Sequence, residues 1–205
     1  MAEPTIYVVD DDEGVRDSLA ALLEADGFRV AAYASAEAFL KRGPIDGHAC
    51  LLADVRMPGM DGLELLGRLA DQRSVMPVIM ITGHGDVPMA VRAMKLGAVD
   101  FIEKPFDPEV ILASVRDALR AASARPSAGG NEEVRRRLQQ LTPREHDVLE
   151  HLVVGRSNKE VALQLGISPR TVEIHRARLM EKMQAENLAQ LVRMAISLGI
   201  DPSPI

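Results

Sequence analysis

Between residues 5 and 124 the chain alternates, five times over, between a short β-rich run and a stretch with helical spacing, and this alternation limits the possible folds more than any other feature. The runs are Thr5–Val9, Arg29–Tyr33, Ala49–Ala53, Val78–Thr82 and Val99–Glu103. Helical patterns fall at about 14–25, 35–42, 62–72, 87–96 and 108–124; in the first, Val15, Leu19 and Leu22 recur at helical spacing. Repeats of this size predict an α/β unit built on a five-stranded, doubly wound parallel sheet. The first, third and fourth runs are apolar without alternation, as strands covered on both faces are.

A different recipe begins after residue 120. Ala121 to Gly130 reads AASARPSAGG, and small residues, a proline and a glycine pair mark a linker. Beyond it every pattern is helical. Thr142-Pro-Arg-Glu145 and Ser157-Asn-Lys-Glu160 are capping boxes, the first with proline at the opening helical position. Ser168-Pro169 starts a third helix ending near Met183, and Asn187 caps a fourth running to Leu198 before Gly199. The expected division is residues 1–122, a linker at 123–137, and a small all-α domain at 138–205.

Charge follows the same division. Residues 1–124 hold 12 Lys/Arg against 20 Asp/Glu, a balance of −8; residues 125–205 hold 12 against 10, a balance of +2. All six aromatic residues (Tyr7, Phe28, Tyr33, Phe39, Phe101, Phe106) precede residue 107. No apolar run is long enough to span a membrane, and the first apolar stretch is too short for a signal peptide. The single Cys50 forms no internal disulfide, and a reducing cytoplasm is the expected location.

In an open parallel sheet, ligands bind beyond the carboxyl ends of the strands. The first strand ends in Asp10-Asp11-Asp12, the third in Asp54, the fourth in Thr82-Gly83, and the fifth leads into Lys104-Pro105. Each residue alone has an ordinary explanation: a helix cap for one of the three acids, a turn-former for Asp54 before Pro58-Gly59, a plain strand threonine, a solvated lysine. Together they are harder to dismiss. Clustered carboxylates need a counter-charge, which a hard divalent cation such as Mg²⁺ supplies through oxygen ligands. A hydroxyl and an ammonium beside it hold further anionic oxygens. The set reads as a phosphoryl site with Asp54 as acceptor.

Val8-Val9-Asp10-Asp11, Asp54-Val-Arg-Met-Pro58-Gly-Met-Asp61-Gly62, Thr82-Gly83 and Lys104-Pro105, in that order and spacing, resemble the receiver domain of two-component response regulators, which has a flavodoxin-like fold. The resemblance implies that Asp54 is phosphorylated by a sensor histidine kinase. It implies that Asp11, Asp54 and the backbone carbonyl of Arg56 bind Mg²⁺, with Asp10 acting through water, and it leaves the extra acid Asp12 without a metal role. Lys104 would pair with the phosphoryl oxygens, across a cis Lys104-Pro105 bond. Thr82 would close on the phosphoryl group and Phe101 would turn inward behind it. Phe101 carries no hydroxyl, so that move rests on packing. A homodimer would form on phosphorylation through the neighbouring face, with Val91, Met94 and Lys95 as contacts.

Residues 157–183 read SNKEVALQLGISPRTVEIHRARLMEKM: helix, turn at Leu165 to Ser168, second helix. A packed helical hairpin and a DNA-reading helix-turn-helix both have this form. Periodicity separates them. Val172, Leu179 and Met183 make one stripe with His175 at its edge, while Arg170, Glu173, Ile174, Ala177, Arg178 and Glu181 face the other way. A lone isoleucine among charges suits contact with a thymine methyl, Ala177 likewise, with Glu173 for cytosine and Arg170 or Arg178 for guanine or phosphate. Asn158 and Lys159 open the supporting helix, where backbone amides favour phosphate. The lack of aromatic side chains after Phe106 argues for duplex over single-stranded nucleic acid.

Leu141-Thr-Pro-Arg-Glu145, Asn158-Lys-Glu-Val-Ala162, Ser168-Pro-Arg-Thr-Val172, His175 and Lys182-Met183 resemble the LuxR-type DNA-binding domain. The resemblance adds Thr171, His175 and Arg176 to the DNA-facing set and implies double-stranded promoter DNA and RNA polymerase as partners. Thr82 to Val91 and Gly97 to Phe106 are similar to a group of nitrogen-fixation activators, whose kinase partner would be an oxygen-sensing haem kinase. Two rivals stand beside a phosphorylation-activated transcription factor. An aspartyl-phosphate phosphatase usually needs a second acid two residues after its nucleophile, and Arg56 occupies that position. An adaptor whose helical half binds protein would give no specific footprint on DNA.

Overall fold

The computed structural model describes residues 4–43, 48–72, 74–83, 86–123 and 130–200. His84, Gly85 and residues 124–129 of the expected linker lie outside these, as do residues 201–205. By their contacts the residues fall into two compact units, 1–85 with 95–125, and 86–94 with 126–205. Each is described by itself.

The sheet holds β1 (Thr5–Val9), β2 (Arg29–Tyr33), β3 (Ala49–Asp54), β4 (Val78–Thr82) and β5 (Asp100–Glu103) in the order β2-β1-β3-β4-β5, every pairing parallel. Strand order reverses between β1 and β3, where Val9 stands opposite Ala53. The residues that follow this pair, Asp10 and Asp54, therefore stand side by side at the carboxyl ends of the strands, at the crevice such topologies open for ligands. Every residue of β3 and β4 is buried, which is why both read as unbroken apolar runs. The intervening helices are α1 (Glu13–Ala25), α2 (Ala36–Leu40), α3 (Gly62–Asp71), α4 (Val87–Lys95) and α5 (Pro108–Ser123).

One core cluster joins Ile6, Val8, Leu52, Ile79 and Ile81 to Leu19 and Leu23 of α1 and Ile111 and Val115 of α5, with Val15 and Leu22 packed against it. Burying side chains of this size stabilises by about 1.5–3 kcal/mol each before entropy is counted. Beside β1, Tyr7, Tyr33 and Phe39 meet ring to ring at 5.5–6.3 Å, and the Arg42 guanidinium lies over Phe39 at 3.8 Å. Cys50 is buried in β3, its thiol pushed up to about 12 by desolvation, so it behaves as a small apolar residue.

Besides most of α4, the second unit contains α6 (Gly130–Leu138), α7 (Pro143–Val153), α8 (Asn158–Leu165), α9 (Pro169–Met183) and α10 (Leu188–Ser197). Both expected capping boxes form, Thr142 with Glu145 and Ser157 with Glu160, and Asn187 caps α10. Gly166 ends α8 in the left-handed conformation at φ 65°, turning the chain into α9. Helix α6 departs from expectation, because it occupies most of the described part of the segment read as linker. It has little apolar periodicity to announce it. Its charges do the ordering: Glu132 and Glu133 sit in the first turn, Arg135, Arg136 and Arg137 in the last, each sign where the helix dipole favours it. Arg137 pairs with Glu133 at 3.2 Å and donates to the Met183 carbonyl at 3.2 Å, tying α6 to the end of α9.

Candidate phosphoryl-acceptor site and DNA interface

Asp54 closes β3 and is 6% exposed; Asp10, just past β1, is 2% exposed. Lys104 Nζ reaches both, donating to Asp54 Oδ1 at 2.7 Å and to Asp10 Oδ2 at 2.6 Å. The second oxygen of Asp54 accepts the Arg56 N–H at 2.6 Å. The peptide bond Lys104-Pro105 is cis, as expected, and the Lys104 N–H donates to the Thr82 carbonyl at 2.7 Å. Residues from positions 10, 54, 82 and 104 thus meet at one sheet edge.

The three leading acids have separate tasks. Asp12 is the N-cap of α1, accepting the Val15 N–H at 3.1 Å. Asp10 accepts the Asp12 N–H at 2.9 Å as well as the lysine, and its carbonyl takes a hydrogen bond from Arg16 at 2.8 Å. Asp11 is exposed at the rim. Thr82 is fully buried at the end of β4, and Phe101 on β5 is half-buried, opposite Met80.

Charge is unbalanced at this edge. Burial pushes the Asp54 carboxyl above the usual carboxylate range; the Lys104 hydrogen bond and charge pull it down, and the Asp10 charge pushes it up again. Desolvation works against the Lys104 ammonium, yet its bonds to Asp10 and Asp54 leave it harder to deprotonate than an ordinary lysine. Two desolvated carboxylates share one cation, so one negative charge is left over. Among the described residues no three His, Cys, Asp or Glu side chains form a ready-made metal cage. The donors that are present are hard oxygens, short of one positive charge and with Asp11 at the rim. That fits a magnesium ion sharing them with a backbone carbonyl and water.

Gly62 shows how tightly the loop after β3 is drawn in. A Cβ there would stand 2.1 Å from the Asp54 carbonyl oxygen and 2.7 Å from Met80 Cε. The Gly62 N–H closes the loop onto the Val55 carbonyl at 2.9 Å. Of the residues expected to pair two receivers, Val91 and Met94 are buried and Lys95 is exposed.

On α9, Val172, Leu179 and Met183 are buried, while Arg170, Glu173, Ala177 and Arg178 are exposed and Ile174 is 48% exposed. Lys159 is exposed at the start of α8. Four of the expected DNA-facing residues stand apart. Asn158, Thr171, His175 and Arg176 are half-buried. Thr171 shares a 2.8 Å hydrogen bond with the capping hydroxyl of Ser168. Arg176, whose guanidinium burial disfavours charge, reaches Asn158 Oδ1 at 3.4 Å and so connects α9 to α8. His175 Nδ1 is buried without a hydrogen-bond partner among the described residues. Two further residues hold the site from behind and carried no sequence signal for that role. Lys182 donates to Glu145 Oε2 at 2.7 Å, clamping the end of α9 to the start of α7. Glu37 accepts the Met60 N–H at 3.0 Å.

Comparison with known proteins agrees with this geometry. The pattern of the family described as "Response regulator receiver domain" matches residues 6–116, and that of "Bacterial regulatory proteins, luxR family" matches residues 139–195. The chain belongs to the response regulator family, with a receiver domain followed by a LuxR-type DNA-binding domain. It is FixJ-like. It is 52% identical over 200 residues to "Transcriptional regulatory protein FixJ" of Azorhizobium caulinodans, covering 97% of this chain and 94% of the relative. It is 50% identical over 204 residues to the protein of the same name in Rhizobium meliloti, covering 99% and 100%. Among solved structures, full-length FixJ from B. japonicum is similar at 47% identity and a TM-score of 0.56, covering 98% of this chain and 100% of that one. No helix among the described residues is long and apolar enough to cross a membrane.

Proposed function

We propose that this response regulator is switched on by phosphorylation of Asp54 and then binds promoter DNA as a homodimer to activate transcription, of nitrogen-fixation genes as the FixJ relatives suggest. The observation that carries the proposal is the pair of buried carboxylates at the topological switch point, Asp54 and Asp10, sharing the single ammonium of Lys104 at 2.7 and 2.6 Å.

The donor is a phosphohistidine on a sensor histidine kinase, by likeness an oxygen-sensing haem kinase. A carboxylate oxygen of Asp54 attacks phosphorus, an O–P bond forms, the P–N bond breaks, and the departing imidazole takes a proton from solvent. Positioning and charge neutralisation dominate such transfers. Asp54 is positioned by strand β3 and by the Arg56 N–H. Lys104 lies close enough to leave the carboxylate for the incoming oxygens and offset their charge. Asp11, Asp54 and the Arg56 carbonyl, with Asp10 through water, would hold Mg²⁺, which supplies the remaining positive charge. Thr82 and Phe101 sit where they can follow the phosphoryl group. The domain catalyses its own loading and then rests, a switch rather than a turnover enzyme.

The output side follows from the exposed face of α9. Arg170, Glu173, Ile174, Ala177 and Arg178 read the major groove, with Lys159 on phosphate and Asn158, Thr171, His175 and Arg176 supporting the reading helix from its edge. Pairing of two receivers would use Val91, Met94 and Lys95 of α4. Transcription activation implies RNA polymerase as the last partner and the cytoplasm as the location.

The test is Mg²⁺-dependent labelling by acetyl phosphate or a phosphorylated kinase. The wild-type protein takes up one acid-labile phosphoryl group, and Asp54→Asn takes up none. Full labelling of Asp54→Asn overturns the assignment.

A further inference from the structure

We propose that Glu37, on α2, is a positioning residue for the acceptor site. It holds the loop between β3 and α3 whose backbone at Arg56 completes that site. The inference rests on Asp54 being the acceptor.

Residues 55–61 lead from Asp54 to α3. The loop is fastened at both ends: the Val55 N–H donates to the Ile81 carbonyl at 2.8 Å, and the Gly62 N–H to the Val55 carbonyl at 2.9 Å. Its middle is fastened from outside. Glu37 lies in the first turn of α2, which Ser35 caps, and its Oε1 accepts the Met60 N–H at 3.0 Å. The contact joins residues 23 apart in sequence. The carboxylate lies against the loop backbone itself. A Cβ at Gly59 would be 2.8 Å from Glu37 Oε1, which shows how near the carboxylate lies, and the φ of 77° is what requires glycine there. Met57 and Met60 are themselves buried.

The local electrostatics match this role. The backbone amides of Glu37 itself and then of Met60 hold the carboxyl below its usual range. A first-turn glutamate serving only the helix dipole would need no contact with the loop. Here the anion is shared between the start of α2 and the loop. Arg56 lies between Asp54 and the pinned stretch, so a loop freed at Met60 lets the Arg56 carbonyl wander from the position a cation needs. Glu37 touches neither phosphoryl group nor metal, and it acts through the loop.

The experiment uses the full-length protein as wild type, Glu37→Ala and Glu37→Gln. Hydrogen exchange of the 55–62 segment is followed without Mg²⁺, and acetyl phosphate labelling is followed across a Mg²⁺ titration. In Glu37→Ala the segment exchanges faster and half-maximal labelling needs about fivefold more Mg²⁺. Glu37→Gln restores both, because its amide oxygen accepts the same hydrogen bond without the charge. An unchanged Mg²⁺ requirement in Glu37→Ala, with the wild type labelling normally, overturns the inference. So does equal impairment of Gln and Ala, which would make charge, not the hydrogen bond, the cause. Absence of labelling in wild type would instead defeat the acceptor reading, and the exchange data would still decide whether Glu37 holds the loop.

Discussion

Lys182→Met removes the clamp between the reading helix and α7, and its cost can be worked from the structure. Glu145 is 2% exposed and accepts the Thr142 N–H at 2.8 Å and Lys182 Nζ at 2.7 Å. A hydrogen bond to a buried charged group contributes about 1.5–3 kcal/mol. Lys182 is itself one-third exposed, at 33%, so solvent screening places the value near the lower end, about 1.5 kcal/mol. Burial raises the Glu145 pKa, but Lys182 and Thr142 together bring it below the ordinary value. A carboxyl with a depressed folded pKa stabilises the fold above its unfolded pKa, and the contribution is lost as pH falls through the lower folded value. Met in place of Lys182 leaves burial less opposed, so the folded pKa rises and this pH-dependent contribution shrinks. The assay is native-state hydrogen exchange of the full chain near neutral pH, read by mass spectrometry on peptides from α7 and α9. At about 1.4 kcal/mol per factor of ten, their most protected amides should exchange about tenfold faster, with peptides of β3 and β4 unchanged as the internal control. Equal protection in α7 and α9 of both proteins would refute the clamp and leave Glu145 as a helix cap alone.

Gly62→Ala should destabilise the receiver by about 1–3 kcal/mol, because the new methyl meets backbone at 2.1 Å and either Asp54 or the start of α3 must shift. Chemical denaturation and the labelling rate should fall together, and a variant with native stability and native labelling would contradict the packing seen here. On the output domain, alanine at Glu173 or Ile174 should change which bases are preferred, whereas Lys159→Ala should weaken all sequences alike and lower the salt slope by about 0.9. Anisotropy titrations at several salt concentrations on two operator variants decide this, and base-selective loss in Lys159→Ala would count against the docking.

The sequence disclosed most where a local pattern determines the structure. The apolar runs of β3 and β4 had no alternation because both faces are covered, and the first polar residue after Leu51-Leu52-Ala53 had to fall at the strand end. The stripe of Val172, Leu179 and Met183 likewise fixed which side of α9 packs. What stayed hidden depended on partners distant in sequence or on charge. Helix α6 is mostly charged, with only Val134 and Leu138 apolar at helical spacing, so composition read most of it as linker. Arg176 has the chemistry of a phosphate contact, but the fold turns it toward Asn158.

The shortage of positive charge at the acceptor site also explains how a small chemical event can move the strands around it. Lys104 is not an isolated cation, since its side chain joins Asp54 and Asp10 while its own N–H holds the Thr82 carbonyl at 2.7 Å. In the register of β4 with β5, Thr82 stands opposite Glu103, the residue before Lys104. A phosphoryl group on Asp54 would bring about two negative charges and compete with Asp10 for the ammonium. If Lys104 turns toward it, the ends of both β4 and β5 feel the change through one residue. Phe101, half-buried on β5, lies three positions upstream, and α4 connects the two strands in sequence. Such coupling needs no long pathway: the cation that neutralises the product is built into the backbone it would displace. A lysine supplied from a surface loop could neutralise the phosphoryl group equally well, but it would leave β4 and β5 where they were.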